Sequence, residues 1–454
     1  MATVVRGGTV VTATGRFTGD VRVRDGRIEA VGLGVAAPGD TVFDASGCFV
    51  LPGGIDPHTH VEMPIGGGEF NAETWYTGTV AAAFGGTTTV IDHITQERGG
   101  SLSAVLEDWL ERAGPQAVVD YGFHMGIIDP RPEVLEEIPV MVSRGVPSFK
   151  LYTAYRGRLM LNDGEIFAVM RAVARQNGLV LAHTENGDVI EALVAEAIAD
   201  GRVGPEHHAS TRPAAAEAEA TQRLCRLAEM AGARLYVVHV TCKEALFEIF
   251  RARRRGPRVL AETCTHYLLF TEKDLARPDF EGAKFVCSPA LRTPGDQHTL
   301  WTALATGEVE AVGSDHCPWS LAQKRRGADR FDRIPMGAPG LEERIPFLYT
   351  YGVQRGLLSL EQMVAVTSTN AAQIFGLYPR KGAVAPGADA DLVIWDPTQT
   401  RTWAAASHHS KTDNTPYEGM PVEGAVRHVL VRGRPVIQNG ELTDAAGSGK
   451  FLSR

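Results

Sequence analysis

"CFVLPGGIDPHTH", residues 48 to 60, joins an apolar, β-branched run to two histidines one residue apart. Side chains at i and i+2 of a strand share a side, so His58 and His60 face one point in space from the end of a buried strand. Working outward, the same texture recurs. "TTTVIDHI" (87–94), "VVDYGFHMGII" (118–128), "SFKLYT" (148–153), "LVLAHTE" (179–185), "RLYVVHV" (234–240), "RVLAETCTHYL" (258–268) and "EAVGSDHC" (310–317) are apolar stretches of strand length. Amphipathic segments lie between them, for example at 71–84, 102–113, 163–176 and 214–231. Eight βα units in roughly 300 residues predict an α/β fold, a (β/α)8 TIM barrel, with its chemistry at the C-terminal ends of the strands. An open doubly wound sheet is the alternative, but the glycine-rich dinucleotide fingerprint it often carries is missing.

The flanks read differently. Residues 1–50 are short alternating strands ("TVVRGGTVVTA", "DVRVRDGRIEAVG", "DTVFDASG"), with a hairpin signal at Asp25-Gly26. "KGAVAPGADADLVIWDP" and "VRHVLVRGRPVIQNGEL" repeat that texture between 381 and 442. This predicts a small β-sandwich domain built from both termini, residues 1–50 and 376–440, around a barrel at 51–375, with a tail at 441–454.

A length of 454 residues with 44% hydrophobic and 22% charged content is that of an ordinary soluble enzyme with a sizeable core. The formal net charge of -9 speaks against nucleic acid or an anionic membrane as partner. The one basic run, "RARRRGPR" at 251–258, reads as a solvated helix end. No apolar stretch approaches the roughly 18 residues of a membrane span, and "MATVVRGGTV" lacks a signal-peptide core, so a cytoplasmic location is expected. The six cysteines are scattered without a C-x-x-C pair, which suggests neither a disulfide framework nor a thiolate zinc site.

The polar residues at the strand ends carry the chemistry. The first strand ends in His58 and His60, the fourth carries Lys150, the fifth His183, the sixth His239 and the eighth Asp315. A closed barrel brings all of them to the rim of one cavity. Imidazoles and a carboxylate suit zinc, and also manganese, cobalt or nickel. Lys150 is the odd member, because an ammonium is repelled by a dication. A neutral lysine amine can instead take up carbon dioxide, and the two oxygens of the resulting carbamate can bridge two divalent ions. His93 stays outside this set, Asp56 reads as a supporting contact for the His58/His60 pair, and His316 as pointing away. His408 and His409 read as surface or interface residues.

"GGIDPHTHVEMP", "GGTTTVIDH", "SFKLYTAYRG", "HTENGD", "VVHVTCKEAL", "SPALRTPGD", "GSDHCPW" and "YEGMPVEGAV" occur in an order and at a spacing that resemble the hydantoinase and dihydropyrimidinase family of cyclic amidohydrolases. The resemblance implies a homotetramer or homodimer acting on a small cyclic ureide, hydrolysing 5-substituted hydantoins, dihydropyrimidines or both to N-carbamoyl amino acids. It implies one metal ion on His58, His60, carboxylated Lys150 and Asp315, and a second on the same carbamate with His183 and His239. It assigns Asp315 as general base and then acid, and Tyr155 as donor to the oxyanion. It also implies an imide face held by the backbone of Ser288 and of an asparagine in a Pro-Asn-Gly stretch, here "IPMGAPG" with Met336 in the asparagine's place. Asn tolerates unusual φ/ψ better than Met, which makes the local turn an open question. Ile65, Tyr152 and Leu159 stand where related enzymes place bulky apolar residues against the ring substituent.

Allantoinase and dihydroorotase share such a metal centre. Dihydroorotase-like sequences follow the His-X-His with an arginine for the substrate carboxylate, whereas this chain continues "VEMP". A noncatalytic scaffold, like the dihydropyrimidinase-related brain proteins that lost their ligands, is the reading from another class. All six ligand positions are kept here.

Overall fold

The computed structural model describes residues 2–454. All eight predicted barrel strands form: β1 (Gly54–Thr59), β2 (Thr87–Thr95), β3 (Asp120–Gly126), β4 (Ser148–Tyr152), β5 (Leu179–His183), β6 (Arg234–Val237), β7 (Val259–Cys264) and β8 (Ala311–Gly313). They pair in parallel in chain order. The seam between β8 and β1 is closed by a parallel bridge from Thr59 to His316, where the His60 amide donates to the His316 carbonyl at 2.9 Å. Gly313 permits that approach, since a Cβ there would lie 2.9 Å from the Cβ of His58.

Helices cover the outer face, so the strands are buried on both sides and read as continuous apolar runs rather than alternating ones. Several helix starts are fixed locally. The Thr74 side chain caps Trp75–Phe84, Ser101 caps Leu102–Ala113, and Asn162 with Glu165 forms a reciprocal capping box on Asp163–Arg175. Inside the barrel, Ile55, Ile91, Leu181, Tyr236 and Val238 pack with Phe375 and Leu452 in one apolar cluster. Phe375 is 3% exposed, and its truncation to alanine would cost about 3–5 kcal/mol.

The two termini build a second sheet of nine mostly antiparallel strands. Thr3–Thr12, Gly15–Arg24, Arg27–Gly32, Thr41–Asp44 and Phe49–Pro52 come from the N-terminal side. Leu392–Thr402, Pro421–Val431, Arg434–Gln438 and Glu441–Leu442 come from the C-terminal side. Phe49–Pro52 pairs with Leu392–Thr402 and joins the two contributions. Val5, Val10, Val21, Ile28, Val50, Leu392, Ile394 and Leu430 form this domain's own core. Asp25 and Gly26 turn the predicted hairpin with φ of 50° and 79°.

Residues beyond 442 run along the barrel: Phe451 bridges to Tyr121, and Arg454 Nη2 donates to Ser148 Oγ at 2.8 Å. The six cysteines are buried and unpaired. Among the described residues no helix is long and apolar enough to cross a membrane.

Candidate metal centre

The six strand-end residues gather at one rim. His58 Nε2 and His60 Nε2 lie 3.2 and 3.1 Å from Asp315 Oδ1, and one ligand atom from each of the three falls within 4.8 Å of the others. His58 is fully buried, while the side chains of His60 and Asp315 are 15% and 13% exposed, so the group opens to solvent on their side. His183 and His239 form a second pair, with Nδ1 of the first 2.9 Å from Nε2 of the second. The rings of His58 and His239 stand 5.4 Å apart and connect the two groups.

The donor set fits divalent cations. His58 Nε2 is buried without a hydrogen-bond partner among the described residues. Unsatisfied buried nitrogens are costly unless something outside the protein meets them. His58 Nδ1 is occupied by Glu262 Oε1 at 2.6 Å, and Tyr236 holds the other oxygen of that carboxylate at 2.9 Å. Burial pulls the partners in opposite directions, His58 well below its ordinary pKa and Glu262 up to about 8. With the ring proton on Nδ1 facing Glu262, Nε2 presents its lone pair to the Asp315 side. His183 is held likewise, its Nε2 on Glu185 Oε2 at 2.8 Å. Carboxylates behind ligating histidines fix tautomer and ring orientation.

Lys150 lies on β4 with 1% exposure, and no carboxylate is within ion-pair distance of its Nζ among the described residues. Burial, opposed by the nearby Asp315 and Glu262 charges, lowers its pKa to about 8. A buried lysine without a counter-ion fits conversion to an anionic carbamate better than service as an ammonium.

Two residues of the set and the neighbouring tyrosine adopt the left-handed backbone region that non-glycine residues avoid: His239 at φ 40°, Asp315 at 48° and Tyr155 at 67°. Each such conformation costs on the order of 1–3 kcal/mol and persists only where its surroundings enforce it, which is common at functional sites. The Tyr155 ring sits 5.0 Å from that of His183, and burial raises the phenol well above its ordinary pKa, so it remains a proton donor. Tyr152 stands 6.3 Å from both rings.

Ser288 reaches the group through Glu185, to which its hydroxyl donates at 2.7 Å. Met336 resolves the open question about its turn. The positive φ, 125°, falls on Gly337, where a Cβ would meet the Cys317 carbonyl at 2.6 Å. The Met336 carbonyl accepts from the Trp319 indole at 2.9 Å, and Lys324 Nζ donates to Pro335 O at 3.0 Å. The turn is therefore held by neighbouring donors and needs no asparagine. Ile65, on the short strand Pro64–Gly66, and Leu159, in a turn, are half-buried and lie outside the packed apolar cores.

His93 stands apart from the convergent ligand atoms but stacks on His58, with ring centroids 4.4 Å apart and planes within 10°. Asp56 Oδ1 accepts from the amides of His58 and Ser314, both at 3.1 Å, and so ties β1 to the segment after β8. His316 turns away from the metal group, with Nδ1 on the Gly340 amide at 3.2 Å. The His408 side chain is buried near Glu343, whereas that of His409, 34% exposed, stacks on Phe84 and bonds Glu342. Sequence reasoning missed Glu185 and Glu262. Glu262 ends the apolar run of β7, and the rule applied to five other strands would have found it. Glu185 lies two residues beyond His183, still on the same strand-end segment.

A family model described as "Amidohydrolase family" matches residues 49–436. A D-hydantoinase of Geobacillus stearothermophilus is 44% identical over 100% of this chain and 97% of its own length. A D-phenylhydantoinase of Escherichia coli is 39% identical over 100% and 98%. The crystal structure of a dihydropyrimidinase from Brevibacillus agri superimposes with a TM-score of 0.98 at 44% identity, covering 100% of this chain and 99% of that one. Likeness of this extent, over barrel and terminal sheet together, leaves no segment to a different origin: the chain is a member of the amidohydrolase family, on its hydantoinase and dihydropyrimidinase branch.

Proposed function

We propose that the protein is a binuclear-metal hydrolase of cyclic amides that opens hydantoin and dihydropyrimidine rings to N-carbamoyl amino acids. The observation that carries this reading is the convergence of His58, His60 and Asp315 beside the facing pair His183/His239, with Lys150 buried and uncompensated on the strand between them. His58, His60 and Asp315 would hold one ion, His183 and His239 the other, and carboxylated Lys150 both. Zinc is the first candidate, with manganese, cobalt and nickel as alternatives. When bound, two such cations supply Lewis acidity and a nucleophile at neutral pH.

The remaining steps fall to the protein. Asp315, open on one side, accepts the proton of the attacking water and delivers it to the leaving ring nitrogen. The Tyr155 hydroxyl donates to the carbonyl oxygen as that atom gains charge. The backbone at Ser288 and Met336 holds the imide face; a carbonyl has two lone pairs, so the Trp319 contact leaves one on Met336 for the ring. Ile65, Tyr152 and Leu159 line the side that takes the 5-substituent. The names of the relatives support a D-configured 5-substituted hydantoin as substrate. Resemblance to the family supports a cytoplasmic homotetramer or homodimer.

The test is a kinetic panel of hydantoin, dihydrouracil, both enantiomers of 5-phenylhydantoin, allantoin and dihydroorotate. Neutral ureides should be opened, D-5-phenylhydantoin faster than its enantiomer. Dihydroorotate should not, because the nearby Arg212 is already paired with Glu185 at 2.7 Å and a buried carboxylate without a partner is costly. Efficient turnover of dihydroorotate alone would overturn the assignment.

A further inference from the structure

One oxygen joins the metal ligands to the substrate side. Glu185 Oε2 accepts from His183 Nε2 at 2.8 Å, Arg212 Nη1 at 2.7 Å and Ser288 Oγ at 2.7 Å. Arg212 Nη1 also reaches Ser288 Oγ at 2.9 Å, and its Nη2 lies 3.6 Å from Met336 Sδ. Glu185, Arg212 and Ser288 are 1%, 6% and 8% exposed, so these contacts are made out of water. The arginine is braced from behind: Arg292 Nη1 donates to its carbonyl, and Arg292 Nη2 pairs with buried Glu217 at 2.9 Å.

We infer that the Arg212–Glu185 pair is a positioning unit that couples the cation ligand His183 to the ring-binding residues Ser288 and Met336, so that cation retention and ring binding depend on each other. The inference rests on the proposed function for what Ser288 and Met336 bind. Glu185 keeps the proton of His183 on Nε2 and so aims Nδ1 at His239. A carboxylate in that place also raises the basicity of the ligating ring. The same oxygen fixes the Ser288 rotamer, and the planar guanidinium spans Glu185, Ser288 and Met336 in one rigid fork. A displacement of the Glu185 carboxylate therefore moves a ligand and a ring anchor together. Binding free energies coupled through one element are reciprocal.

The experiment compares zinc-loaded wild-type enzyme with Arg212→Met, Arg212→Lys, Ser288→Ala and the surface control Arg223→Lys. It reads the rate of chelator-driven zinc release, KM and kcat on 5-phenylhydantoin, and the circular-dichroism melt that reports folding. Arg212→Met should release zinc about 10-fold faster or more and raise KM, with Arg212→Lys in between because it keeps charge without the fork. Ser288→Ala, a change at a residue outside the ligand set, should also accelerate release, which a merely structural role for the serine would not do. Arg223→Lys should match wild type.

Wild-type release from folded Arg212→Met overturns the inference. So does wild-type release from Ser288→Ala if Arg212→Met does not fold, or faster release with unchanged KM. Zinc release needs no substrate; a wild-type enzyme inert on every ureide would sink the proposed reaction and leave this measurement to decide the role of the pair in holding the cation.

Discussion

His183 Nδ1 and His239 Nε2 face each other across 2.9 Å. Glu185 takes the other nitrogen of His183, and burial holds both rings below their ordinary pKa, His239 far below. Two neutral imidazoles in this arrangement either share a proton or offer their lone pairs to one cation. His239→Ala should therefore lose about one metal equivalent per chain in elemental analysis while the group at His58, His60 and Asp315 keeps its own. Retention of both equivalents would remove His239 from the ligand set.

Tyr155 tests the chemistry rather than the cation. Its ring lies beside His183, and its half-buried phenol, with a pKa pushed up by desolvation, stays protonated at neutral pH. A donor that serves a developing oxyanion acts mainly in the transition state, so Tyr155→Phe should lower kcat by about 10²-fold with a smaller change in KM. An unchanged kcat would reassign the residue to packing.

The barrel was legible because its strands are buried on both faces and end in polar residues, a pattern that survives without any contact information. The same rule picked out His58, His60, Lys150, His183, His239 and Asp315, of which His58, His60 and Asp315 converge as one group. Glu185 and Glu262 were not picked out, because a carboxylate behind a histidine differs from a surface carboxylate only in what folds over it; Tyr236 reaches Glu262 from β6 and Arg212 reaches Glu185 from 27 positions away. Local φ/ψ preference left the Met336 turn open. Its actual supports, Trp319 and Lys324, approach from a separate segment that precedes it in the chain. The burial of the His408 side chain was hidden for a related reason: its segment is polar, yet polar groups such as Glu343 meet it.

Lys150 carries the largest prediction for the centre. The side chain is buried with no carboxylate at ion-pair distance among the described residues, and an ammonium there would stand among the residues proposed to hold cations. Lys150→Ala and Lys150→Arg should lose activity and most of the bound metal, because neither can form a carbamate. Metal-stripped wild-type enzyme should recover faster with zinc plus bicarbonate than with zinc in buffer free of carbon dioxide, since carbamate and metal stabilise each other. Two metals per chain and normal turnover in Lys150→Ala would rule out the bridging role.

His408 lends the fold a pH-dependent contribution that is remote from the metal group. Its Nε2 donates to the Thr412 carbonyl at 2.9 Å, and its Nδ1 lies 3.8 Å from Glu343. Burial lowers the pKa of this ring, but Glu343, with help from Thr412 and Glu342, outweighs burial and raises it to about 9. The charges around it are Glu343, whose Oε1 also faces Trp403 and Thr415, and Glu342, which is engaged by His409. In the unfolded chain the same ring titrates near about 6.5. A folded pKa above the unfolded one means that folding takes up a proton between those values. The stabilisation is therefore complete below about 6.5 and is lost as pH rises through about 9. His408→Gln should lower Tm relative to wild type at about pH 6, and the difference should shrink by about pH 10. Glu343→Gln should remove the same pH dependence from the other side. A Tm difference that is constant across this range would show that His408 acts by packing and not by charge.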